Sequence, residues 1–101
     1  LHKAMDLYKT ASDLNHDIAA YTLGLIYQKN KDMKNCLNYL HKSVDNDNDL
    51  ARIALAEIYE KGEGTPKNLP LALSLYIKAF KNGKTNVEDN IKRLQKKVKS
   101  F

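Results

Sequence analysis

The sequence predicts an all-α fold, an α-solenoid of antiparallel helix pairs about six helices long. Three observations predict it. The chain repeats itself at a spacing of 32 and then 36 residues, each repeated segment sets its apolar residues at helical intervals, and only 4 Gly and 2 Pro interrupt 101 residues. No apolar run approaches the ~18–20 residues needed to cross a bilayer.

The repeat emerges when the chain is slid against itself. A shift of 32 lays Ala4-Met5 on Cys36-Leu37, Asp17-Ile18-Ala19 on Asp49-Leu50-Ala51, and Leu23 to Tyr27 on Leu55 to Tyr59. A further shift of 36 lays Cys36 on Ala72, Leu40 on Tyr76, Leu55 on Ile91 and Ile58 on Leu94. The added four residues fall in the turn from Lys61 to Pro66, where a repeat of helical hairpins tolerates them.

Each element then has its own signal. In the first helix, 1–14, Ala4, Leu7, Tyr8 and Ala11 are spaced i, i+3, i+4, i+7 and share one face. The second, 17–29, starts at Asp17, whose charge suits a helix N-terminus. The third, 33–45, follows Asp32 as N-cap and carries Leu37, Leu40 and Val44 on one face. The fourth, 49–61, opens at Asp49 and stops before Gly62, a residue suited to a left-handed terminus. The fifth, 69–82, takes Asn68 as N-cap, tolerates Pro70 in its first turn, and aligns Ala72, Leu75, Tyr76 and Ala79 before Gly83. The sixth, 86–100, keeps only a narrow stripe of Val87, Ile91, Leu94, Val98 and Phe101, the pattern of a terminal cap.

Those residues resemble the Sel-one-like repeat (SLR), a branch of the tetratricopeptide-like repeats. The resemblance rests on Ala19, Tyr21, Leu23, Gly24 and Tyr27 in the first helix type. It rests also on Gly62, Gly64 and Asn68 in the turn, and on Ala72, Tyr76, Lys78, Ala79 and Gly83 in the second helix type. The turn from Gln28 to Lys31 lacks both glycines, and the small-residue site runs Gly24, Ala56, Lys92. The resemblance divides the single domain 1–101 into a second-type helix of a partial repeat (1–16), repeats at 17–48 and 49–84, and a capping helix (85–101). The unpaired first helix and the absence of an initiator Met lead us to expect the C-terminal end of a longer array. Leu7, Tyr8, Ala11 and Leu14 then lie open on the first helix, and an exposed apolar patch of that kind predicts self-association.

A helical-repeat solenoid carries no built-in chemistry; its product is a concave wall lined by first-type helices. By the tetratricopeptide-like register that wall holds Thr22, Leu25, Gln28 and Lys29, then Ala54, Glu57, Glu60 and Lys61, then Asn90, Arg93 and Lys97. Mixed apolar, acidic and basic side chains suit a peptide or protein surface better than a closed small-molecule cavity. The carboxylate clamp of tetratricopeptide proteins is not carried over, because Leu25 and Glu57 stand at its places; Glu57 and Glu60 would repel a carboxylate and favour a basic ligand. The resemblance therefore implies a non-enzymatic scaffold or adaptor that binds a protein or peptide on this face. The alternative is a positioning module of a larger multidomain enzyme or complex.

Other chemistry is poorly served. His2, His16 and His41 lie on different helices with no nucleophile beside them, and Cys36 takes a site that is Ala4 and Ala72 elsewhere, so it reads as a packing residue. The run Asp45 to Asp49 imitates the start of a calcium loop, but Leu50 and Ala56 stand where Gly and Glu are needed, leaving a polar turn that feeds an N-cap. Gly62-Glu63-Gly64 lacks the Lys-Ser/Thr of a phosphate loop. No catalytic residue, metal or cofactor is expected. The formal charge of +5 is uneven: residues 1–50 carry 6 Lys and 7 Asp, and residues 51–101 carry the whole excess. A basic end attracts acidic partners, nucleic acid or anionic lipid. With Lys outnumbering Arg 15 to 2, specific nucleic-acid readout is not expected.

Overall fold

The computed structural model describes residues 17–99, and all their regular structure is helical. In chain order the helices are α1 (Asp17–Lys29), α2 (Met33–Asp45), α3 (Asp49–Lys61), α4 (Leu69–Lys81) and α5 (Glu88–Lys99), with a 3-10 turn at Thr85–Val87. The helix expected at 1–14 and the patch of Leu7, Tyr8, Ala11 and Leu14 lie outside the described residues. The chain divides into two compact units between Ala51 and Arg52.

In the first unit α1 and α2 are joined by three residues and pack along each other. Ala20, Leu23, Cys36, Leu40 and Ser43 are fully buried, so Cys36 takes the packing place that its register predicts. A Cβ on Gly24 would lie 2.7 Å from Leu40 Cγ and Cδ2, so at Gly24 the two helices approach too closely for any side chain. Tyr27 on α1 stacks on Tyr39 of α2 with ring centroids 5.6 Å apart and planes 10° off parallel.

Caps account for the helix ends. Asp32 accepts from the Asn35 backbone N–H at 3.3 Å and from its side-chain amide at 2.8 Å, opening α2. The turn Asp45 to Asp49 feeds α3 as expected: Asn48 Oδ1 accepts from the Ala51 N–H at 3.0 Å. The backbone at Lys31 and Asp47 is left-handed (φ 64° and 67°), although neither is glycine.

The second unit is built around Ala56, Ala72, Tyr76, Val87 and Leu94, with Ile53, Tyr59, Leu69, Leu73, Leu75 and Ile91 packed against them. Gly62 ends α3 at φ 72°, and Asn68 caps α4 by accepting from the Leu71 N–H at 3.1 Å. Two boundaries differ from expectation. The fifth predicted helix stops one residue earlier, with Asn82 as its C-cap. The sixth begins as a 3-10 turn, because the Glu88 N–H bonds to Thr85 C=O and tightens the entry while Val87 inserts into the core.

Candidate protein-interaction face

The face read from the sequence begins, in the first unit, with α1. Thr22 is half-buried and its hydroxyl donates to the Ile18 carbonyl at 2.9 Å, so it is engaged along its own helix. Leu25 and Gln28 are half-buried and Lys29 is exposed. In the second unit α3 carries half-buried Ala54, exposed Glu57, part-buried Glu60 and exposed Lys61, while α5 carries half-buried Asn90 and exposed Arg93 and Lys97. The opposite sides of these helices hold the core: Leu23 on α1, Leu55 and Ile58 on α3, Leu94 on α5.

The structure brings three of these residues into contact. Arg93 grips Glu60 from α5: Nε donates to Oε2 at 3.0 Å, and Nη2 donates to Oε2 at 2.7 Å and to Oε1 at 2.8 Å. Arg93 Nη1 also donates to Asn90 Oδ1 at 3.0 Å, one turn earlier on the same helix. The Glu60 side chain is 13% exposed and that of Arg93 45%, so the guanidinium closes over the carboxylate from the solvent side. A planar fork against a carboxylate is the strong form of ion pair.

Behind the carboxylate stands Tyr76 of α4, 1% exposed, whose hydroxyl donates to Glu60 Oε1 at 3.4 Å, long for an O–H···O bond. Burial pushes the phenol well above the usual tyrosine range, the charges of Glu60 and Glu57 push it further, Arg93 partly opposes them, and the hydrogen bond to Glu60 adds to the rise. Sequence reading took Tyr76 as a packing residue and missed its polar role. The available signal was its register partner Leu40: a hydroxyl at a position that is otherwise apolar and buried requires a polar neighbour.

The grip corrects the electrostatics read from sequence. Glu57 and Glu60 do not act as two open acids, because Arg93 already neutralises Glu60, and Glu57 alone faces solvent. Among the described residues no group of three or more His, Cys, Asp or Glu is placed to hold a metal ion, and no helix is long and apolar enough to cross a membrane.

Comparison with known proteins agrees with the helical-repeat fold. A search of curated proteins finds no match. Among solved structures, the chain is similar to a Sel1 repeat protein from Oxalobacter formigenes, with TM-score 0.81 and 26% identity over 88% of this chain. It is also similar to c5321, a protective antigen present in uropathogenic Escherichia coli strains and displaying an SLR fold, with TM-score 0.79 and 28% identity over 86% of this chain. It spans 38% and 20% of the lengths of those two chains. The fold is therefore an all-α helical-repeat solenoid. The Sel1 repeat model matches residues 1–16, 18–48 and 49–84, three consecutive stretches that cover most of the sequence, and the chain belongs to the Sel1 repeat family.

Proposed function

We propose that this protein is a non-enzymatic scaffold that holds a protein or peptide partner on its first-type helices, with α3 and α5 of the second unit presenting the face. Sel1 repeats generally serve as protein-interaction scaffolds. The observation that carries the finer reading is the contact of Glu60 on α3 with Arg93 and Asn90 on α5. Side chains from two successive first-type helices meet there, with Glu60 against Tyr76 and Arg93 on the solvent side, so the two helices present one surface. The mixed chemistry of that face, with Glu57, Lys61 and Lys97 near the neutralised pair, suits a polypeptide.

The test is affinity capture from the native cell extract, read by mass spectrometry. The blocking variant carries Ala54→Arg and Asn90→Arg, equivalent positions on α3 and α5 where added bulk obstructs the face. The control carries Asn38→Arg and Ser74→Arg, exposed positions on the second-type helices α2 and α4. Circular dichroism confirms that both fold. A protein retained by the native chain and the control but lost from the blocking variant is the expected result. Equal retention by all three moves the interaction off this face.

A further inference from the structure

Among the described residues three large hydrophobic side chains are exposed: Ile18 (70%), Leu50 (50%) and Phe80 (37%). Single apolar residues are ordinary on a protein surface, but these three fall on two patches of opposite charge. Ile18 and Leu50 hold the same repeat position, one shift of 32 apart, in the first turns of α1 and α3. Leu50 keeps its exposure although helices precede and follow it, so the stacking of repeats does not use this position. Both residues belong to the first unit. Links of three residues join α1 to α2 and α2 to α3, and α1 packs along α2, so the start of α1, the end of α2 and the start of α3 share one end of that unit. From Ser43 to Ala51 that end carries Asp45, Asp47 and Asp49 and no cation. Asp45 is the last residue of α2, where the helix dipole disfavours an acid, so helix stability does not account for it. The backbone under the patch is fixed: the Asn46 and Asn48 N–H groups donate to the Ser43 carbonyl, and the Asp47 N–H donates to the Val44 carbonyl at 2.8 Å.

Phe80, in the last turn of α4, belongs to the second unit and has the opposite setting. From Lys78 to Val87 the chain carries Lys78, Lys81 and Lys84, all exposed, and no acid. The dipole accounts for lysines at a helix end. It does not account for an exposed phenylalanine among them.

We propose that these two patches bind each other between copies of this chain, Ile18 and Leu50 of one copy packing on Phe80 of the next, with the aspartates facing the lysines. The contact is head-to-tail, so each copy offers one patch of each kind and association continues from copy to copy. One aromatic and two aliphatic anchors make a small contact, so the association is weak and shows at high protein concentration. A second copy fits better than other occupants. An anionic lipid surface or a nucleic acid suits the lysine patch and is repelled by the aspartate patch. A second copy supplies both halves, apolar against apolar and acid against base. The proposal does not depend on the α3–α5 face.

The experiment is sedimentation equilibrium of the full chain over a range of concentrations, at low and at high ionic strength. One variant carries Ile18→Ser and Leu50→Ser, the other Phe80→Ser; circular dichroism confirms that both fold. For the native chain we expect an average mass that climbs past that of a dimer at low salt and falls at high salt. Each variant alone stays monomeric, because one of its two patches is spoiled. An equimolar mixture of the two forms a dimer and goes no further, since one intact patch of each kind remains. Asp45→Asn/Asp47→Asn weakens the association about threefold, the loss of two exposed ion pairs, and Ala54→Arg/Asn90→Arg leaves it unchanged. A native chain that stays monomeric, association that ignores salt, a variant that associates as the native chain does, a mixture that stays monomeric, or loss of association in the Ala54→Arg/Asn90→Arg variant overturns the proposal. If the Ile18→Ser/Leu50→Ser variant loses its helical circular dichroism, Ile18→Ser alone replaces it and is held to the same mixing test.

Discussion

Arg93 and Glu60, thirty-three residues apart, meet at 2.7 Å and join α5 to α3 by a guanidinium fork over a carboxylate that is 13% exposed. The asymmetry of exposure sets the cost of breaking it. Arg93→Ala strands a mostly buried carboxylate and should lower stability by about 1–2 kcal/mol. Glu60→Gln removes the buried charge and leaves Arg93 free to be hydrated, so it should cost about 0.5–1 kcal/mol. Urea denaturation of both single variants and the double variant measures this, and the double should cost less than the two singles together. Strict additivity would show that the contact contributes nothing of its own.

Tyr76 gives the same cluster an alkaline signature. Its phenol is held well above the ordinary value of about 10, first by burial and then by Glu60 and Glu57. The neutral phenol is therefore favoured in the folded chain. Below pH ~10 the tyrosine is protonated in both states and this contribution is complete. As pH rises past ~10 the unfolded chain ionises at Tyr76 while the folded chain does not, and stability falls. Tyr76→Phe has no proton to lose, so its alkaline loss of stability should be shallower than that of the native protein, with a difference of less than about 1 kcal/mol at neutral pH, where only a long hydrogen bond is removed. Thermal melts across the alkaline range compare the two slopes, and parallel curves would refute the assignment.

Gly24 sits where two effects oppose each other. Alanine would gain about 1 kcal/mol of helix propensity in the middle of α1. Its Cβ would also stand 2.7 Å from two atoms of Leu40, a side chain with no exposure. Overpacking of that kind costs about 1–3 kcal/mol, so the clash wins and Gly24→Ala should be less stable than the native chain by about 1 kcal/mol. Chemical denaturation decides it; a variant as stable as the native chain would mean that α2 shifts away without penalty.

The helices were legible because each carried two independent signals. At α2 and α4 the apolar spacing and the caps Asp32 and Asn68 agreed, and the starts at Met33 and Leu69 follow from them. The 3-10 entry at Thr85–Val87 was not legible, since a single i to i+3 bond leaves no periodicity to detect. On the candidate face, Lys29, Glu57, Lys61, Arg93 and Lys97 are exposed while Thr22, Leu25, Gln28, Ala54, Glu60 and Asn90 are half-buried, and the pairing was not legible. Repeat arithmetic sets Arg93 level with Glu57, yet the guanidinium closes on Glu60. Helical side chains lean toward the N-terminus and cover the turn before their own, and the reach of two long side chains, rather than the register, selects the partner.

The two turns that follow first-type helices solve one geometric problem with different residues. After α1 the chain turns left-handed at Lys31, φ 64°, and after α3 at Gly62, φ 72°. A side chain in this region crowds its own backbone at a cost of about 1 kcal/mol, which glycine avoids. Lys31 is exposed, so its replacement loses no packing. Lys31→Gly should therefore stabilise the chain by about 0.5 kcal/mol, the relief being offset in part by the greater freedom of glycine in the unfolded state. Gly62→Ala should do the reverse and more strongly, because its Cβ would also stand 2.8 Å from Lys67 Cγ and 3.3 Å from the Lys67 backbone nitrogen. A loss of about 1–2 kcal/mol is expected there. Measured side by side by urea denaturation, the two substitutions should move the midpoint in opposite directions; a destabilising Lys31→Gly would mean that the lysine side chain makes up for its strained backbone.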